Sequence, residues 1–220
     1  YEPGTKYLYG ISQSILGRVA EVASGKSFDI FLKESLFDPL EMNRTGFYLD
    51  EKTKKLLQPL YVSGGNLEGF NEDGITRIGN MMTYHKNSQT PLGAEGVLTT
   101  TGDFSNFCEM LVSNGSFKGK KILAPESIGL MTSKFSEGYP EEYWGEQYFL
   151  GFYKGLSVYV LEDPNKMDLN APKGIYGWSG LQNTFFWIDP ENSIYGILLS
   201  RSMSSGLPYE ELLNNTYENF

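Results

Sequence analysis

Three features of this sequence predict an α+β fold in which helices and loops come first and an antiparallel sheet with a closing helix comes last. Apolar residues recur at helical spacing in the first part of the chain, between Ile11 and Leu36 and again between Phe104 and Val112. Beyond Tyr148 the texture changes to aromatic and β-branched runs broken by turn residues. Asp189-Pro190-Glu191-Asn192 separates two such runs by a tight turn, which predicts an antiparallel hairpin.

The elements follow in order. Ile11, Ile15, Leu16, Val19, Val22 and Ala23 mark a first helix, with Gly25 as its stop. Ser27 is a suitable cap for a second helix carrying Phe28, Phe31, Leu32 and Leu36, and Pro39 ends it. From Glu41 to Leu98 the pattern weakens. Gly64-Gly65, Gly69, Gly74, Gly79 and Gly93 punctuate short polar pieces, as in a loop with brief elements, the usual place for binding residues. Phe104, Phe107, Cys108, Leu111 and Val112 give an amphipathic helix with Asp103 in its first turn, closed by Asn114-Gly115. Pro125 opens a short helix holding Ile128, Leu130 and Met131. Strands are expected in Phe149–Leu161, Asn183–Ile188 and Ile194–Leu199. The last is apolar on both faces, as expected of a central strand covered on two sides. Pro208, with Glu210 and Glu211, opens the closing helix. Residues 1–145 then form a helical and loop region and 146–220 the sheet with its helix, both parts of one domain.

Composition narrows the function. The 220 residues are 40% hydrophobic and 15% aromatic, enough for a large core. A net charge of −9 without a basic cluster argues against nucleic-acid binding. No apolar run approaches the ~20 residues needed to span a bilayer. Cys108, the only cysteine, falls on the apolar stripe of its helix and reads as a buried structural thiol. His85, the only histidine, reads as a loop residue; one histidine and one cysteine cannot assemble a zinc site of ordinary composition, so no metal is expected. Gly25-Lys26-Ser27 imitates the end of a P-loop, but the first glycine would fall at Ala20, and the stretch follows a helix rather than a strand.

Two short motifs carry chemistry. Tyr9 stands between Pro3-Gly4-Thr5 with Tyr7 and the first helix, followed by Leu16-Gly17 and Ser24-Gly25. Gly177-Trp178-Ser179-Gly180 precedes the strand Asn183-Thr184-Phe185-Phe186-Trp187-Ile188-Asp189-Pro190. On residues alone, the tyrosine could be a packed aromatic and the glycine motif a close backbone approach. Together with Phe37-Asp38-Pro39-Leu40-Glu41-Met42 and the stretch Gly93–Phe104, these segments resemble the class C β-lactamase-like serine hydrolases of the penicillin-binding-protein and esterase superfamily, in the family's order. Glu41 replaces a common glycine, and Ile11 stands where many relatives have asparagine, as in some esterase-like members.

The resemblance implies a β-lactamase/transpeptidase-like fold, here partial, and an acyl-enzyme mechanism without metal or organic cofactor. It implies Tyr9 as the general base, paired with a lysine that steadies its phenolate. It places Gly177-Trp178-Ser179-Gly180 on the sheet edge, with Trp178, Ser179 and Gly180 as a substrate wall and the Leu181 amide as an oxyanion donor. Trp178, where other branches carry Lys or His, favours an esterase-like or peptidase-like member. Substrates would be small esters, amides or β-lactams. No serine in the chain is followed by lysine three positions later, so the Ser-x-x-Lys motif is absent. The expectation is a C-terminal portion, inactive alone, that needs its N-terminal portion or self-associates. The alternative is a non-catalytic, penicillin-binding-protein-like binding or cell-wall-associated domain; a carbohydrate-binding module rests only on the aromatic content.

Overall fold

The first helix, α1 (Ser12–Ser24), ends on Gly25, whose left-handed backbone (φ 69°) lets its amide reach the Glu21 carbonyl. These details come from a computed structural model that describes Glu2, Thr5, residues 9–58, 91–135, 150–202 and 209–218, with the backbone alone of 60–62 and 69–71. Pro3, Gly4, Tyr7, Gly64, Gly65, Gly74, Gly79, His85 and Pro208, named above, lie outside the described residues.

α2 (Phe28–Leu32) starts after Ser27, but the serine hydroxyl makes no cap bond. The Phe28 amide donates instead to Glu21 Oε1 at 2.9 Å, so a carboxylate from α1 caps its neighbour. The Arg18 guanidinium, then that amide, hold the Glu21 carboxyl below its usual range. The expected stop at Pro39 is corrected in detail. The α-helix ends at Leu32, and the coil widens into a π-helical turn, Lys33–Phe37, before the proline.

The described parts of residues 41–98 carry brief elements, as expected. They hold α3 (Glu51–Lys54), closed by an Asp50/Thr53 capping box, and the antiparallel pair β1 (Leu60–Val62) and β2 (Gly69–Asn71). Gly46 and Leu98 exchange backbone hydrogen bonds of 2.9 and 2.8 Å. Thr100 caps α4 (Thr101–Val112) through the Asp103 amide. The Asp103 carboxylate turns outward and accepts from the Arg44 amide (2.7 Å) and the Thr45 hydroxyl (2.8 Å). Asn114 (φ 53°) and Gly115 (φ 90°) close α4 into a short hairpin, β3 (Ser116–Phe117) with β4 (Lys120–Lys121). α5 (Pro125–Met131) follows.

The sheet has five strands: β5 (Phe152–Lys154), β6 (Tyr159–Leu161), β7 (Tyr176–Gly180), β8 (Thr184–Asp189) and β9 (Ile194–Leu198). They run antiparallel in chain order, β5-β6-β7-β8-β9. Of the stretch expected as strand, Phe149–Leu161, the described residues from Phe152 form a hairpin turning at residues 155–158, and Phe149 lies outside the described residues. β9 stands at the end of the described sheet rather than in its centre. Its two-sided apolar pattern reports faces and not neighbours. Tyr195 and Ile197 pack on the α4 side, while Gly196 lies beneath the Trp187 ring.

Each face of the sheet has its own core. On one, Val158, Val160, Tyr176 and Ile188 meet Cys108, Met110 and Leu111 of α4 together with Phe37, Leu40 and Met42. Phe186 sets its ring edge-on to Phe104 at 5.3 Å. On the other, Leu161, Ile175 and Trp187 meet Leu213 of α6 (Tyr209–Tyr217). α6 is fastened by the Tyr217 hydroxyl, which donates to the buried Asp189 carboxylate at 2.7 Å.

Two outcomes follow. A Cβ on Gly196 would sit 1.9 Å from the Trp187 ring, so Gly196→Ala should cost about 1–3 kcal/mol in urea-unfolding free energy. Burial pushes the Cys108 thiol up to about 12 from an ordinary value near 9.0. The folded thiol keeps its proton where the unfolded chain releases it. Its stabilisation is therefore intact below pH 9.0 and is lost as the pH rises towards 12. Between those limits Cys108→Ala should flatten the loss by up to about 1.4 kcal/mol per pH unit. Burial also raises the Tyr176 and Tyr217 phenols, so a residual alkaline slope should persist in the variant.

Candidate functional site

β7 and β8 are joined by a three-residue connection in which the Gly180 carbonyl accepts from the Asn183 amide at 3.0 Å. Asn183 takes a left-handed backbone (φ 58°), which asparagine tolerates and which matches the twist of a hairpin. Leu181 sits at the first corner of this turn. Its amide has no part in the turn's hydrogen bond, and the residue is 71% exposed. The side chain of Asn183 donates to Ser202 Oγ at 3.0 Å, and the Ser202 amide donates to the Gln182 carbonyl at 3.1 Å. The chain leaving β9 thus braces the turn from behind.

The glycine motif is itself strand β7, third in the sheet order, rather than a stretch beside a strand. Its edge character is local. β6 pairs with Tyr176 and Gly177 only, so among the described residues Trp178, Ser179 and Gly180 pair with β8 alone. Ser179 and Gly180 are exposed and Trp178 is half-buried. A Cβ at Gly177 would come within 1.9 Å of the Phe186 carbonyl oxygen. Glycine is required there by the closeness of β8 and not by a special backbone angle.

Tyr9, just ahead of α1, reaches this strand. Its ring lies 6.1 Å from that of Trp178, inclined by 20°. The other partner of Trp178 is Tyr159, at 4.7 Å and 5°. Tyr159 stands directly across from Gly177, which carries no side chain to separate the two rings. Behind Tyr159, the Lys154 ammonium sits 5.4 Å from the ring centroid, and Lys154 is 7% exposed. Three aromatic rings are thus stacked from a buried cation to a tyrosine that is 41% open to solvent. Trp178 is the middle member.

The two motifs separated by more than 160 residues of sequence therefore meet through Tyr9 and Trp178. Ser179, Gly180 and Leu181 continue from that contact along the open strand and its turn. Tyr159, Ser202 and Lys154 were not picked out by sequence reasoning. A signal for Tyr159 existed, an aromatic facing a glycine across strands, but it needs the β6–β7 register to be read. Cys108 is fully buried on α4 with its thiol held protonated, so it is no nucleophile at neutral pH.

Removing the middle ring should uncouple the ends. Trp178→Ala should lower stability by about 2 kcal/mol and abolish the near-ultraviolet circular dichroism of the stack, with the far-ultraviolet spectrum unchanged. Tyr159→Phe, which keeps the ring, should retain that signal.

The beta-lactamase family model matches residues 1–214. An uncharacterized protein of Mycobacterium tuberculosis is 26% identical over 196 residues, covering 86% of this chain and 47% of that protein. A putative D-alanyl-D-alanine carboxypeptidase of Escherichia coli O157:H7 is 23% identical, covering 99% and 50%. The chain spans about half the length of these curated relatives. Among solved structures, EstCE1, a hydrolase with promiscuous acyltransferase activity, superposes with a TM-score of 0.75 at 21% identity over 99% of this chain and 57% of that one. Simvastatin synthase from Aspergillus terreus gives 0.77 at 17% identity, covering 99% and 55%. The arrangement of helices, antiparallel sheet and closing helix is the β-lactamase/transpeptidase-like fold. This chain belongs to the beta-lactamase family of serine hydrolases.

Proposed function

We propose that the chain supplies the general base, an oxyanion donor and the substrate wall of an esterase- or peptidase-like serine hydrolase that works through an acyl-enzyme. The observation that carries this is the packing of Tyr9 against Trp178 at the open end of β7. It brings the Tyr9 ring to the part of β7 that, among the described residues, pairs with β8 alone and that leads into the turn at Leu181. Tyr9 takes the proton from a serine nucleophile, for which a neighbouring ammonium must favour the phenolate. The Leu181 amide receives charge developing on the carbonyl oxygen, and Trp178, Ser179 and Gly180 hold the substrate flat against the strand. Loss of one such amide typically costs about 3 kcal/mol of transition-state stabilisation. The acyl group, from an ester, amide or β-lactam, then passes to water. A protein described as a putative D-alanyl-D-alanine carboxypeptidase and a hydrolase with promiscuous acyltransferase activity stand among the similar proteins, in keeping with this chemistry.

The 220 residues contain no Ser-x-x-Lys, and the relatives are about twice as long. We therefore assign the nucleophile and its lysine to residues outside this sequence and expect the chain alone to be inactive. α1 supports the same reading. Ile11, Ile15, Val19 and Val22 lie at helical spacing and are 55–72% exposed, an apolar stripe that a soluble monomer rarely leaves uncovered. It is covered by the nucleophile-bearing segment or by a second copy. In the isolated chain, Ile15→Glu with Val19→Glu should shift sedimentation from associated species to monomer. A monomeric parent chain would contradict this.

The direct test is intact-mass analysis after a fluorophosphonate probe. No adduct is expected on the chain alone, and a stoichiometric adduct would overturn the assignment. In a protein extended to carry Ser-x-x-Lys, an adduct should form, and Tyr9→Phe should slow it by about 10²–10⁴-fold. An extended protein without that motif would support the non-catalytic binding domain instead.

A further inference from the structure

The turn that carries Leu181 is held by a series of amides that begins outside it. Ser202, beyond the end of β9, donates its amide to the Gln182 carbonyl at 3.1 Å. The Gln182 carbonyl and the Asn183 amide belong to one peptide unit. That amide donates onward to the Gly180 carbonyl at 3.0 Å. The Gly180 carbonyl in turn shares its peptide unit with the Leu181 amide. In a planar trans peptide the C=O and N–H point in opposite directions, so a bond that fixes one fixes the other. Two peptide units are therefore joined in series between Ser202 and the Leu181 N–H, which points away from the turn's own hydrogen bond.

Side chains fasten the start of this relay. Asn183 Nδ2 donates to Ser202 Oγ at 3.0 Å, and Ser200 Oγ donates to the same oxygen at 3.0 Å. Ser202 thus grips the turn twice, by its amide at residue 182 and by its hydroxyl at residue 183.

We infer that Ser202 is a positioning residue for the oxyanion donor, acting on the Leu181 amide through Gln182, Asn183 and Gly180. The inference rests on the hydrolase reading and adds to it what aims and strengthens that donor. A donor that stabilises developing charge must be aimed before the reaction, because turning it during the reaction would cancel the gain. Leu181 is 71% exposed and Gly180 has no side chain, so packing does not aim this peptide; the relay does. Hydrogen-bonded amides also polarise one another, so each bond upstream makes the terminal N–H a stronger donor. Neither effect needs Ser202 to touch the substrate.

The first test uses the chain alone. Ser202→Ala should leave the melting temperature nearly unchanged and quicken hydrogen exchange at the Asn183 amide about fivefold to tenfold, as expected when the turn loses one of its supports. The second uses the protein extended to carry Ser-x-x-Lys, with p-nitrophenyl acetate as substrate. There Ser202→Ala should lower kcat roughly tenfold, less than the loss of about 10²–10³-fold typical of removing a whole donor, with KM changed by less than about twofold. Ser202→Thr, which keeps the hydroxyl, should restore kcat. Asn183→Gly keeps the left-handed backbone and loses the carboxamide, so it serves in both measurements and should lower kcat to a similar degree. The double variant should be no slower than either single one, since both break the same link.

Unchanged exchange at Asn183, or an unchanged kcat for Ser202→Ala in an active extended protein, overturns the inference and leaves the hydrolase reading standing. A lower melting temperature with kcat unchanged would mark a purely structural role and overturns it as well. An extended protein that forms no fluorophosphonate adduct overturns the hydrolase reading itself, and this inference with it.

Discussion

The carboxylate of Asp189 is fully buried and satisfied by three donors, and the rest of the sheet depends on it. Oδ1 accepts from the Asn192 amide at 3.0 Å. Oδ2 accepts from the Asn192 side chain at 2.8 Å and from the Tyr217 hydroxyl at 2.7 Å. One side chain thus fixes the β8–β9 turn and fastens α6 to it. A buried carboxylate is tolerated only when so paired, and each of its donors would be left unpaired without it. Burial first, and then this same bond, keep the Tyr217 phenol protonated well above its usual range.

Through that anchor β8 becomes the strand on which both cores are organised. Phe186 and Ile188 face α4, and Phe185 and Trp187 face α6. β7 is fitted to β8 so closely that position 177 has no space for a side chain. The consequence reaches the site directly. With Gly177 bare, Tyr159 can pack on Trp178, and Trp178 presents its other partner, Tyr9, at the end of the strand. Rigid packing at the centre of the sheet therefore governs where an exposed phenol lies at its margin.

The candidate site was partly readable from residues. Tyr9 and the segment from Gly177 to Leu181 were marked by motif, whereas Asn183, expected as the start of a strand, is the left-handed last residue of the turn before it. Tyr159 and Lys154 were invisible because their roles depend on register: only the pairing of Tyr159 with Gly177 and of Lys154 with Tyr159 aligns them behind Trp178. Ser202 was missed for a similar reason. It follows β9, and nothing in its neighbourhood in sequence announces contact with the β7–β8 turn.

What the sequence by itself determined was local. Helical spacing located α1, α2 and α4; Asn114-Gly115 and the Asp189 turn ended or reversed elements; and the order of segments indicated an α+β chain. Those signals suffice because each arises from contacts within a few residues. The tertiary structure decided what such signals do not contain. Periodicity shows that α1 has an apolar face but not that this face is left open, while the small face carrying Gly17 packs against Gly93. Two-sided apolarity in β9 could not distinguish a central strand from an outer one, since burial of faces and pairing of edges are separate degrees of freedom. The meeting of Tyr9 with Trp178 is likewise a product of chain topology, because only the sheet and its two cores bring positions so distant in sequence into contact.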